Sequence, residues 1–433
     1  MHGNETGSSN QRRKAVRQKH YRTLRIFRVN FYSNMAMKIA LTLPSLPLSG
    51  VGTSVGIIEA GLAAAGHDVD VVVTDHGVSR DLEYAKRLGW NLVFPGRGVR
   101  FLPHRLKRVL EWLNANGYSA VINNTSMETQ LILPCLRPEI LRVGVLRGLN
   151  PEARRHLSIN SGYLHAAVAI SAEMVRVMAE DANIRAPVRL IPNCTRVEGG
   201  EFPKLDEPLT ICFVGRLSNR DKNVSILPRV AAALKASGVR FTLEIVGDGA
   251  ERKALEKDFR EVAPGCATIN GTLPRERTQD IMSRSHFVML PSISEGLSNV
   301  LLEGMALGCI PICSAIENFK WVLGDAAERL QCSTHDPGEY ARRMIRMSSD
   351  PDLYRSTQQY LRERQQSLFT PERTVGGYLE LIGELKNGAA RELPPSCAFT
   401  SLRMPAEYRL YCSPVWRLLQ KTRDALTGRD RDA

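Results

Sequence analysis

The chain has 433 residues, more than one ordinary core accommodates and enough for two or three domains. Its 43% hydrophobic and 24% charged residues are those of a globular protein, and its longest tempting apolar stretch, 304–316, is too short to span a membrane and contains Pro311. The net charge of +13 does not point to nucleic acid, because residues 1–36 alone hold eight basic side chains against Glu5 and no stacking-aromatic motif stands behind them.

That basic extension, 1–36, comes first in chain order. It reads either as a solvated tail, with the true start at Met35 or Met37, or as a basic amphipathic helix. In the second case Tyr21, Leu24, Phe27 and Phe31 would rest on an anionic membrane surface. No secretory signal is visible in it. Residues 37–43 (MKIALTL) form a short β-type run, and a Pro/Gly/Ser loop follows to Gly52. Helical periodicity runs over 53–65. Residues 69–74 (VDVVVT) are a second strand, apolar enough to be buried on both faces. Further strands are expected near 100–102, 120–123, 142–146, 166–171 and 189–191, with helices over 106–116 and 172–182. Strand–helix alternation predicts a parallel sheet with right-handed crossovers.

Residues 198–208 (EGGEFPKLDEP) turn polar and lose periodicity, as a linker does. The alternation then restarts. Strands near 209–214, 242–246, 267–269, 286–290 and 310–313 are separated by helices near 224–236, 250–262 and 275–283. The chain thus reads as an α/β protein of two doubly wound, Rossmann-like domains. These cover 37–205 and 206–370, and a crossover helix with a basic tail covers 371–433. Ligands of such sheets sit beyond the C-terminal strand ends, so two facing sheets imply a site in a cleft. The nine cysteines form no C-x-x-C pair and no metal-ligand spacing, and they read as reduced structural thiols.

Three clusters carry chemistry. In residues 291–312, Ser298 can cap a helix starting near Asn299, whose N-terminal amides make an anion site at a strand end. Glu295 lies before that helix and Glu303 one turn inside it. Two carboxylates beside an anion site suit hydroxyl groups, because an ionised carboxylate accepts their hydrogen bonds. In VGRLSNRDKN, Gly215 ends a strand, Arg216 can grip phosphate bidentately and Lys222 supplies a point charge. IVGDGAERKAL offers another strand-to-helix turn at Gly247–Gly249. Each residue alone has a plainer reading. Arg216 and Lys222 could be solvated cations, Glu303 a helix-surface acid, His286 a satisfied core histidine, and Phe319 and Trp321 packing residues.

Taken together, the segment resembles the retaining glycosyltransferases of sequence family four, the glycosyl transferases of group 1, which have the GT-B fold. Their glutamate pair with seven residues between is matched by Glu295 and Glu303, and their arginine and lysine by Arg216 and Lys222. Their glycine-rich turn is matched by Gly247–Gly249, and their first loop and helix by the segment with Gly50 and Gly52. The resemblance implies that Arg216 and Lys222 hold the diphosphate of a nucleotide-sugar, and that backbone amides around Gly296, Leu297, Ser298, Asn299 and Val300 touch the phosphates. It implies that Glu303 takes the ribose, Glu295 the transferred sugar, and the Leu273 backbone the base. No cofactor or metal is implied. A UDP- or GDP-sugar donor and a glycan or lipid-linked acceptor, at the inner face of a membrane, are the expected partners. Two departures stand out. Leu146-Arg147-Gly148 and Asn123-Asn124 occupy places where the family commonly has histidine. Arg147 then meets either an acidic group of donor or acceptor, or an ion-pair partner. Rival readings are a GT-B epimerase or phosphorylase and a non-catalytic nucleotide-sugar-binding relative. A dehydrogenase read from Gly50, Gly52 and Gly56 fits poorly, because its fingerprint needs a tighter turn.

Overall fold

The computed structural model describes residues 36–46, 50–77, 89–197, 200–206, 208–402 and 404–409. The basic extension (but for Ala36) lies outside them, as does the part of the basic tail at 416–423, whose sequence sets Trp416, Leu418 and Leu419 among Arg417, Lys421 and Arg423 in a short amphipathic pattern. The chain divides into two compact units. One takes in the chain up to Ile170, Met174–Ile191 and everything from Thr374 onward, and the other comprises Ser171–Glu173 and Pro192–Arg373.

The first unit is built on a parallel sheet of β1 (Lys38–Leu43), β2 (Asp68–Val73), β3 (Leu92–Val93), β4 (Ala120–Asn123), β5 (Leu141–Leu146), β6 (Ala166–Ala169) and β7 (Val188–Leu190). The strand order is β3-β2-β1-β4-β5-β6-β7, a doubly wound arrangement whose order reverses at β1. Central strands are mostly apolar because helices cover both faces: Ile39, Leu41, Val69, Val71, Ile122 and Val143 are all buried. The one acid buried among them, Asp70, accepts from Tyr118 Oη at 2.6 Å and lies 3.6 Å from Lys38 Nζ, so its charge is compensated.

Two sequence expectations change here. No strand forms at 100–102. Pro103 sits in the first turn of a helix, Leu102–Ala115, where its missing N–H costs nothing, and the sheet edge is the two-residue β3 instead. The first helix begins at Gly50, not Thr53, so Gly50 and Gly52 are helical and not in a loop.

The helix Pro371–Glu384 packs on this same unit. At Gly61 the helix Gly50–Ala64 comes so close that an added Cβ would fall 2.2 Å from Val375 Cγ2, so only glycine fits. At Gly377 an added Cβ would lie 3.2 Å from Ile191 Cγ2, a tight contact but a milder one.

The second unit holds β8 (Leu209–Val214), β9 (Phe241–Val246), β10 (Ala267–Gly271), β11 (Phe287–Leu290), β12 (Ile310–Ser314) and β13 (Gln331–Cys332). They are all parallel, in the order β10-β9-β8-β11-β12-β13. The described part of the polar stretch 198–208 is pinned to this unit. Phe202 rests on Gly308 beneath the Arg362 guanidinium, 3.6 Å from the ring centroid. Gln358 donates to Pro203 O, and His286 Nε2 lies 2.7 Å from Lys204 O. The change of unit accordingly falls after Ile191, ahead of that stretch. His286 is a buried structural residue: its Nδ1 accepts from Thr210 N at 2.8 Å. Phe319 is buried and Trp321 packs edge-on against Phe369. Cys212, Cys309 and Cys313 are buried free thiols. Among the described residues no helix is long and apolar enough to cross a membrane.

Candidate functional site

In the second unit the C-terminal ends of β8, β9 and β10 are laced together by backbone. Gly215 N donates to Val246 O (2.9 Å), Leu217 N to Asp248 O (2.9 Å), and Gly247 N to Gly271 O (2.8 Å). The lacing requires glycine at 247. Its φ is +136°, and a Cβ there would lie 1.8 Å from Gly215 O. Leu273 follows β10 in the short link to the helix Arg275–Ser283.

Beside them, β11 runs through Pro291 and Ser292 into the loop holding Glu295 and Gly296. Ser298 is the N-cap of the helix Asn299–Leu307, its backbone extended and its Oγ accepting from Leu301 N at 3.4 Å. Leu297 and Ser298 are buried, whereas Gly296, Asn299 and Val300 are partly exposed at the helix N-terminus. There the helix dipole and its first amides favour an anion. The loop is fixed on both sides: Ile293 N donates to Asp221 O (2.9 Å), and Asn318 Nδ2 donates to Glu295 O (2.7 Å).

Each expected cation stands against a carboxylate. Lys222 Nζ donates to Glu295 Oε1, which also accepts from Ser292 Oγ at 2.8 Å; the two charged side chains are only 17% and 13% exposed. Arg216 pairs with Asp221 at 2.8 Å, but its side chain is 70% exposed. Burial alone would raise the Asp221 carboxyl, yet Ser218, Arg216 and Lys222 outweigh it and hold it below the usual carboxylate range. Glu303, 12% exposed, accepts from Arg275 Nη2 at 2.8 Å. Burial pushes its carboxyl above the usual range, and the Arg275 guanidinium offsets this only in part.

Arg216, Lys222, Gly215, Gly247, Leu273, Glu295, residues 296–300 and Glu303 therefore stand on neighbouring strand ends of one sheet. Arg275, Asp221, Ser292 and Asn318 were not singled out from the sequence. Arg275 carries a signal that could have found it, since it opens a helix straight after the Gly271–Leu273 turn. Asn318 lies 23 residues from the loop it holds, and nothing local marks it.

Gly50, Gly52 and Arg147 belong to the first unit. Arg147, just past β5, donates to Asn124 Oδ1 at 2.5 Å, so this contact is with a neutral amide and is no ion pair. Asn124 is fully buried past β4. Next to it Thr125 has φ +66°, strained for a β-branched residue. Asn123 is satisfied on both sides, accepting from Thr42 Oγ1 (3.1 Å) and donating to Gln130 Oε1 (2.9 Å). A cavity of about 160 Å³ opens there, lined by Asn123, Thr125, Gln130, Asn150, Glu152 and His156. Among the described residues no cluster of three or more His, Cys, Asp or Glu side chains could hold a metal ion.

Residues 200–364 match the family model of glycosyl transferases group 1. Among curated relatives, D-inositol 3-phosphate glycosyltransferase of Salinispora arenicola is 28% identical over 40% of this chain and 41% of its own. Alpha-D-kanosaminyltransferase of Streptomyces kanamyceticus is 27% identical over 46% of this chain and 49% of its own. The alignments thus span less than half the length of these relatives. Solved structures match over far more of the chain. Sucrose-phosphate synthase from Thermosynechococcus elongatus superposes with a TM-score of 0.66 at 20% identity, covering 81% of this chain and 99% of that one. Anabaena HepE, solved with UDP and glucose, gives 0.65 at 14% identity, covering 81% and 100%. The S. aureus TarM mutant G117R, solved in complex with Fondaparinux, alpha-GlcNAc-glycerol and UDP, gives 0.69 at 9% identity, covering 80% and 99%. With its two parallel-sheet α/β units, the chain has the GT-B fold.

Proposed function

We propose that the protein is a retaining glycosyltransferase that moves a sugar from a UDP- or GDP-sugar to a glycan or lipid-linked acceptor of the cell envelope. One observation carries the reading: Lys222 with Glu295, and Arg275 with Glu303, flank the capped N-terminus of the helix Asn299–Leu307. A diphosphate suits the helix N-terminus and the two cations Arg216 and Lys222, while hydroxyls suit the carboxylates.

In this reading the positive charge stabilises the departing diphosphate, so no resident metal is called for. Positioned charge of this kind contributes a rate factor of roughly 10²–10³ for each preorganised donor. Glu303 accepts from the ribose, Glu295 from the transferred sugar, and the backbone at Leu273 meets the base. Attack on the face the diphosphate leaves keeps the anomeric configuration. The names of the relatives support sugar transfer, and the UDP of the solved neighbours supports the donor class. We place Gly50, Gly52 and Arg147 on the donor-sugar side, on the strength of the sequence resemblance. We read the chain as two Rossmann-like domains with a crossover helix after the second. It works in the cytoplasm, peripheral at an anionic membrane surface; the support for the membrane is the charge of residues 1–36 and of the stretch 416–423.

The test is a panel of UDP-, GDP- and ADP-sugars screened for a rise in melting temperature of the full chain, followed by transfer assays with the stabilising donor. At least one donor should stabilise, and NMR of the first-formed glycoside should show the donor's anomeric configuration. No stabilisation by any nucleotide overturns the donor site; an inverted product overturns the mechanism. Sedimentation at low salt should bring the protein down with anionic and not neutral vesicles. Equal recovery with both removes the membrane reading.

A further inference from the structure

We propose that Glu295 is a latch on Lys222: it competes with the diphosphate for this ammonium, so the site holds an intact donor better than the nucleoside diphosphate left after transfer. The inference rests on the donor reading above and concerns what the ion pair adds to it.

Three observations carry it. First, Lys222 and Glu295 touch in a setting where each side chain is less than one-fifth exposed, so their attraction is weakly screened. A phosphate approaching Lys222 meets a carboxylate already bound to it, and must either displace that carboxylate or bear its repulsion. Second, the loop is anchored through the Glu295 backbone, independently of the carboxylate. Asn318 Nδ2 grips the carbonyl oxygen, whereas the carboxylate contacts of Lys222 and Ser292 both fall on Oε1. The side chain can therefore swing without moving the loop. Third, the neighbouring pair provides a built-in contrast: Arg216 and Asp221 also touch, but Arg216 is largely in water, where such pairs are weak.

The consequence is asymmetric. An intact donor brings sugar hydroxyls that replace Lys222 as partners of Glu295, while its phosphates replace Glu295 as partners of Lys222. A nucleoside diphosphate brings only the second half of this exchange, and leaves Glu295 unpaired beside an anion. Once the sugar has gone, the carboxylate retakes the lysine and the diphosphate leaves.

The experiment is calorimetric titration of the full chain with UDP and with GDP. Glu295→Gln keeps the size and the acceptor for Ser292 while removing the charge, and it should bind the better of the two nucleotides about tenfold more tightly than wild type. Glu295→Ala should tighten binding likewise, should the Gln variant fold poorly. Asp221→Asn should change affinity by less than about twofold. In a double-mutant cycle the gain should vanish when Lys222→Met is combined with Glu295→Gln, because it depends on the freed ammonium. Unchanged or weaker nucleotide binding in both Glu295 variants, with wild-type binding intact, overturns the latch and leaves the donor reading standing. If wild type binds neither UDP nor GDP, nor ADP as a third probe, the donor reading fails and the latch goes with it.

Discussion

The strand ends of the two units treat polar groups differently. After β8 to β11 in the second unit, the groups that face one another are charged: Lys222 with Glu295, Arg216 with Asp221, Arg275 with Glu303. The groups at the ends of β4 and β5 in the first unit are amides, Asn123 locked between Thr42 and Gln130 and Asn124 receiving Arg147, and the ion pair beside them, Arg105 with Glu128, is buried and tied to Thr74. The charged cluster sits on a rigid backbone lattice in which Gly247 tolerates no side chain. The neutral one is built around the strained Thr125. Charge pairs can change partners when a charged ligand arrives; a saturated amide network mostly holds its shape. The contrast teaches that the second unit is equipped for a strongly anionic ligand, whereas the first presents a preformed polar surface.

The sharpest test of this difference is kinetic. Lys222→Ala should lower turnover by roughly 10²–10³, because a preorganised cation acts chiefly in the transition state, and should also lower the melting temperature by leaving Glu295 without its half-buried partner. A comparable loss from Arg147→Ala would erase the distinction between the two regions.

Next is the lattice itself. Gly247→Ala combines a left-handed backbone with a Cβ driven into Gly215 O, and should cost about 3 kcal/mol in denaturant unfolding. A loss below about 1 kcal/mol would show that the loops yield and the lattice is soft.

The third prediction concerns pH. Because Glu303 titrates above the ordinary value of 4.5, its ionised form is lost earlier than usual on acidification. Nucleotide affinity should fall as pH drops through a midpoint above 4.5, and Arg275→Gln should move that midpoint higher. The effect on folding has the opposite sign. A raised folded-state value favours the fold below the unfolded value, and that contribution is lost as pH rises through the folded one. Affinity titrations and unfolding curves across pH read the two separately, and an unmoved midpoint in Arg275→Gln denies the guanidinium its role.

The smallest effect is expected in the first unit. Thr125→Gly relieves the left-handed strain and should raise stability by up to about 1 kcal/mol, although glycine's greater freedom in the unfolded chain offsets part of this. A clear loss instead would mean that the threonine side chain supports the cavity.

How far the sequence was readable follows the same division. Ser298 as a helix cap, the spacing of Glu295 and Glu303, and the alternation of strands are local patterns, and local patterns survive in one dimension. The ion pair of Lys222 and Glu295 spans 73 residues, so both members were visible but their pairing was not; that of Arg275 and Glu303 spans 28, and Arg275 itself was missed. The error at 100–102 arose because a few apolar residues look alike in a strand and at a helix start. Pro103 was the signal that should have decided it. The polar stretch after 198 reads as a linker by composition, yet Phe202 gives part of it a fixed seat that composition cannot reveal.

The return of the chain to its first unit has a consequence for how the protein is made. Gly61 waits for Val375, and Ile191 for Gly377, until the roughly 180 residues of the second unit have been made. At a synthesis rate of about 5–20 residues per second, the ribosome needs roughly ten to forty seconds to deliver the missing helix. The second unit, almost continuous in the chain, has all its strands in hand before that helix emerges. During that interval Gly61 and Ile191 lack the neighbours that cover them in the folded unit. The helix that covers Gly61 is thus made only after the whole second unit.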